Sequence, residues 1–67
     1  MQKWEYLFMV SDERGKVSTI NNQRVRSGEK VSSLQFAEER GNMGWELITV
    51  TEDEAGRNSF YFKRPKG

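Results

Sequence analysis

The stretch VSSLQFAEERGNMGWEL, residues 31–47, decides how this chain folds. At about 100° per residue around a helix axis, Leu34, Phe36, Ala37 and Gly41 fall on one side and Gln35, Glu38 and Glu39 on the other. Ser32 stands where an N-cap belongs and Gln35 where a capping box needs its partner, while Val31 and Phe36 occupy the two positions of a hydrophobic staple. The pattern predicts a helix opening at Ser32 and stopping at Gly41, with Gly44 relaxing the turn into the next strand. Arg40 is the anomaly, because it falls inside the apolar arc. Its aliphatic stem can pack while the guanidinium reaches water or a strand carboxylate such as Glu5 or Glu46. The sharper alternative is a paired cation at a partner or anion site.

Outward from the helix, both flanks read as strands. Residues 3–11 alternate Trp4, Tyr6, Phe8 and Val10 against Glu5, Leu7 and Met9, the period of two that marks a strand. Asp12 to Lys16 is a polar turn, and Val17 to Ile20 with Gln23 to Arg26 make a short hairpin across Asn21-Asn22, since Asn tolerates the left-handed backbone of a tight turn. Ser27 to Lys30 read as a loop. Beyond the helix, Trp45 to Glu52 and Asn58 to Arg64 form two more strands around a turn at Asp53 to Gly56, and Pro65 ends the last. The expected fold is α+β, one domain over residues 1–67: a single antiparallel sheet of about four strands in β-β(hairpin)-α-β-β order, with one helix on one face.

Such a sheet is roughly 15 to 19 Å wide, whereas a helix with its side chains is about 10 Å across. One helix therefore leaves part of the sheet uncovered. Trp4, Tyr6, Phe8, Phe60 and Phe62 can share one face and Leu7, Met9, Trp45, Leu47 and Tyr61 the other, with the relative register of the strands open. A contiguous second apolar surface is the mark of an interaction site, and a self-complementary one most often builds a two-fold homodimer. Strand twist and long Lys or Arg stems offer the opposing explanation.

Composition narrows the chemistry. At 67 residues with neither Cys nor His, the chain can draw on no disulfide, thiolate or imidazole, and a domain this small is marginal unless it associates. Without an imidazole base, Ser32 is better used as a cap than as a nucleophile. Glu52, Asp53 and Glu54 lack the alternating ligand spacing of a calcium loop, and Glu5 and Glu46 read as outward polar residues of alternating strands rather than as an acid and base pair. No catalytic, cofactor-binding or metal-ligating residue is assigned. The net charge of +1 gives no bulk attraction for nucleic acid or anionic membrane. Aromatic residues Trp4, Trp45 and Tyr61 beside basic Lys63, Arg64 and Lys66 keep single-stranded nucleic acid as a less favoured partner. No run approaches the length of a membrane span, and MQKWEYLFMV has no leader-like apolar run, so a cytoplasmic location is expected.

Three short motifs, Trp4-Glu5-Tyr6, Gly41-x-x-Gly44-Trp45-Glu46-Leu47 and Phe62-Lys63-Arg64-Pro65, together resemble the small bacterial proteins grouped as domain of unknown function 4177. The resemblance spans nearly the whole chain. It implies a compact unit of sheet and helix, and no activity, cofactor or catalytic residue. This chain departs from the family pattern at Ala37, Arg40 and Met43, where helix volume is lost and a flexible apolar side chain appears at the helix exit. The expectation is a non-enzymatic module that forms a homo-oligomer, a dimer before other states, or binds another protein. Its expected surface comprises Leu7, Met9, Arg40, Met43, Trp45, Leu47 and Tyr61. A small-ligand site at a subunit interface is the remote alternative.

Overall fold

A computed structural model describes residues 1–26 and 31–66. The loop expected at Ser27 to Lys30 lies outside the described residues. The alternating segments become β1 (Trp4–Ser11), β2 (Val17–Ile20), β3 (Gln23–Arg24), β4 (Glu46–Glu52) and β5 (Asn58–Pro65), with α1 (Ser33–Asn42) between β3 and β4. They form one antiparallel five-stranded sheet in the order β3-β2-β1-β5-β4. The fifth strand beyond the expected four is the two-residue β3, which pairs Arg24 with Thr19 and Gln23 with Ile20.

Turn chemistry sets this topology. Asn21 and Asn22 both take positive φ, 50° and 68°, as a two-residue hairpin of the twist-matching type requires. Asn21 also exchanges bonds with β1: its backbone N–H donates to the Phe8 carbonyl, and its side-chain oxygen accepts from the Phe8 N–H. The turns Asp12 to Lys16 and Asp53 to Arg57 repeat one design. In each, an Asp oxygen accepts from the backbone N–H two and four residues on, Arg14 and Lys16 in the first and Ala55 and Arg57 in the second. Because Ser11 pairs with Asn58, both turns lie at the same end of the sheet.

Directly opposed residues of an antiparallel pair share a face, so register settles which face is which. Leu7 stands opposite Phe62 and Met9 opposite Phe60, and the helix lays Phe36 on that face with its ring 6.1 Å from Phe62. Leu7, Met9, Val17, Phe36 and Phe62 form the buried core, with Val31, Ala37, Trp45 and Phe60 packed around it. Trp4, Tyr6, Phe8 and Val10 project from the other face. The grouping expected from sequence is therefore corrected: Leu7 and Met9 belong with Phe60 and Phe62 beneath the helix, and Tyr61 belongs with Phe8, 5.0 Å away between ring centres.

The helix opens as its sequence demands. Ser32 caps it, its side-chain oxygen accepting from the Gln35 N–H at 3.1 Å. Gln35 does not complete the reciprocal box, since its amide donates to Glu39 instead. The stop falls later than expected. Gly41 is helical, and Gly44 at φ 90° is the left-handed residue. The Gly44 N–H donates to the Gly41 carbonyl and the Trp45 N–H to the Arg40 carbonyl, the paired bonds of a Schellman stop.

The two glycines accordingly have opposite sensitivities. A Cβ at Gly41 meets nothing within 4 Å, so Gly41→Ala is expected to stabilise by roughly 0.5–1 kcal/mol through helix propensity. Gly44→Ala forces a side chain into the left-handed region and is expected to cost roughly 1–2 kcal/mol. Urea titrations of both variants check this; a change of the same sign in both would refute the assignment of the stop.

Candidate functional site

The helix-covered face is not covered to its edge. Leu47 and Val50 oppose Phe62 and Phe60 and so belong to the core face, yet they are 44% and 43% exposed, and Ile48, at the bulge of the strand, is 49% exposed. All seven residues of β4 are exposed. Met43 at the helix exit is exposed too, as is Leu34 on the first turn of the helix.

Among the described residues β4 hydrogen-bonds only to β5, so its outer edge is open there. Edge strands are normally blunted by shortness, by Lys or Pro, or by bulges that twist the edge away. At the opposite edge β3 has two residues and carries Arg24. β4 has seven residues, ELITVTE, with no Lys or Pro. Its guarding devices are the carboxylates Glu46 and Glu52 at its two ends and the bulge between Leu47 and Thr49, beyond which Thr49 to Glu52 pair regularly with β5.

The residues expected to form an interaction surface divide three ways. Leu7 and Met9 are core, 8% and 0% exposed, because register places them under the helix. Arg40, Met43, Trp45 and Leu47 gather near the helix exit. Arg40 does not reach Glu5 or Glu46: its guanidinium lies 4.5 Å over the Phe36 ring and contacts the Met43 sulfur at 3.5 Å. Glu5 is taken by Arg64, Nε to Oε1 at 2.6 Å. Arg64 also stacks 4.3 Å over Trp45 and donates to the Met43 carbonyl. Tyr61 is on the opposite face. There, Lys63 places its ammonium 4.4 Å over Trp4, so long cationic stems do cover part of that face, while Tyr6 stays 67% exposed.

Sequence reading missed Ile48 and Val50. The even apolar run in β4 could have suggested them, but only strand order shows that β4 is an edge. The chemistry weighed from sequence also finds its place. Ser32 is occupied as a cap. Glu5 opposes Arg64 and Glu46 opposes Lys63; Arg64 and Lys63 are successive strand residues, so the two glutamates point to opposite faces and form no acid and base pair within one chain. The Asp53 carboxyl is held below its usual range, first by the Arg57 backbone N–H that donates to it, against partial desolvation.

Set against protein-family models, curated proteins and solved structures, the chain matches none.

Proposed function

We propose that this chain is a non-enzymatic interaction module that self-associates, β4 of one copy pairing antiparallel with β4 of a second. The observation that carries the reading is the edge of β4, open among the described residues and regular beyond its bulge, with Leu47, Ile48 and Val50 exposed along the strand. A strand paired antiparallel with its own copy makes an isologous two-fold contact, the commonest form of closed assembly. Surface area supports the same reading. The chain exposes 5091 Å², against about 4,400 Å² for a monomeric protein of its mass. The excess, about 700 Å², is close to the ~800 Å² per partner of a standard interface. The radius of gyration, 12.2 Å, likewise exceeds the roughly 10.9 Å of a compact chain of this length.

Charge selects the register. Pairing centred on Thr49 would set Glu46 against Glu52 of the second copy, and like charges directly opposite destabilise a pair. Centring on Val50, in the regular half of the strand, sets Val50 against itself and Thr49 against Thr51. The resemblance to domain of unknown function 4177 fits a small module without chemistry of its own.

Native mass spectrometry with light scattering over a wide concentration range tests the reading. The mass is expected to climb from 7.8 kDa towards twice that value, and the melting temperature to rise with concentration. Val50→Lys, which sets one ammonium against another across the axis, is expected to stay monomeric with an unchanged circular dichroism spectrum. Thr51→Lys, on the other face of β4, serves if Val50→Lys fails to fold. A single mass of 7.8 kDa at every concentration would overturn self-association.

A second reading, a single-stranded nucleic-acid binder, rests on the opposite face, where Trp4, Tyr6 and Tyr61 are exposed as stacking platforms. It calls for a mobility shift at low salt that fades as salt rises.

A further inference from the structure

We propose that the groove beside the β2–β3 hairpin binds a multiply phosphorylated ligand through Arg24, Arg26 and Arg57. The groove has a volume of about 810 Å³, and these three arginines line it together with Val10, Thr19 and Val25. They come from two separate parts of the chain, the short β3 with the residue pair after it and the β4–β5 turn.

The state of each guanidinium supports an anion. Arg57 is fixed in place: its Nε donates to Asp53 Oδ2 at 3.0 Å, leaving its terminal nitrogens available. The depressed Asp53 carboxyl keeps that clamp ionised. Arg24 and Arg26 have no ion pair or side-chain hydrogen bond among the described residues. Asp12 also lines the groove and brings one negative charge to it, held at one oxygen by the Arg14 and Lys16 N–H groups at 2.9 and 3.0 Å. With Arg57 paired to Asp53 and Asp12 in the lining, the groove keeps a positive excess carried by Arg24 and Arg26, and a bound anion offsets it.

Phosphate is favoured because guanidinium forks match its oxygens. The volume leaves room for a ligand with several such groups, and Val10 with Val25 lends the groove an apolar part for any organic body it carries. Arg24 and Arg26 lie by β3, at the edge opposite β4, and Arg57 lies in the β4–β5 turn, so none of the three is on the strand proposed to pair.

The test is a two-dimensional amide NMR titration with tripolyphosphate at low ionic strength, on wild type and on the monomeric Val50→Lys variant. Shifts are expected at Thr19, Arg24, Val25, Arg26 and Arg57 in both. The double variant R24Q/R26Q is expected to weaken binding at least about tenfold, as loss of charge-assisted bonds implies, whereas R14Q is expected to leave it unchanged. A parallel titration with oligothymidylate separates the sources of phosphate. Tighter binding that also shifts Tyr6 and Tyr61 assigns the groove to a nucleic-acid backbone; binding no tighter and confined to the groove assigns it to a small phosphorylated molecule. Absence of shifts, or shifts spread equally over Lys3, Arg14 and Lys66 and unaffected by R24Q/R26Q, would overturn the proposal. So would equal binding of an aspartate-rich peptide.

Discussion

Replacing Phe62 with Ala is expected to remove most of the stability of this domain. Phe62 is 1% exposed, packs on Phe36 and stands opposite Leu7 in the sheet. Truncating a buried Phe costs about 3–5 kcal/mol, the transfer free energy of the ring together with the cavity it leaves. A chain of 67 residues has roughly 3–10 kcal/mol in total, and among the described residues only five hydrophobic ones form the buried core, so little else can close the gap. Tyr61→Ala, one residue away but on the other face, is expected to cost far less because the residue is 38% exposed. Urea unfolding decides the matter: the midpoint of Phe62→Ala should fall sharply while that of Tyr61→Ala moves little. Comparable losses in both variants would mean that the two sheet faces contribute equally and that the core has been misplaced.

That contrast shows what the sequence could and could not convey. The alternation in β1 announced two faces, and the Ser32 cap announced a helix to cover one of them. Which face is covered depends on the register between β1 and β5, a relation between residues more than fifty positions apart. A physical cue was present: Trp4, Tyr6 and Tyr61 carry polar handles that keep contact with water, whereas Leu7, Met9 and Phe62 have none. The helix stop was misplaced for a related reason. Gly41 and Gly44 can both take positive φ, and the choice falls on Gly44 because Trp45 then packs against the core while its N–H closes the last turn on Arg40. The groove arginines were invisible, since only the folded topology brings Arg57 to Arg24 and Arg26. The open edge of β4 likewise needs strand order rather than strand pattern.

Arg64→Lys is expected to destabilise the domain by about 1–2 kcal/mol although it keeps the charge. Arg64 joins three elements at once: Nε pairs with Glu5 on β1, Nη1 donates to the Met43 carbonyl at the helix exit, and the guanidinium plane lies over Trp45 at the start of β4. The ion pair contributes only about 0.2–1 kcal/mol, because its side chains are about one-third exposed and solvent screens it. The stacking adds about 0.5–1 kcal/mol, and both depend on a flat fork that an ammonium cannot imitate. Arg64→Ala should lose somewhat more, whereas Glu5→Gln alone should lose under ~1 kcal/mol. If Arg64→Lys matched wild type while Glu5→Gln equalled Arg64→Ala, charge rather than stacking would be the source of the effect. The consequence reaches beyond stability. Trp45 leads directly into β4, so loosening Arg64 loosens the strand on which self-association is proposed to depend. Arg64→Ala should therefore lower the dimer fraction at a fixed concentration even where the monomer remains folded, and native mass spectrometry at a temperature well below its midpoint would read that loss directly.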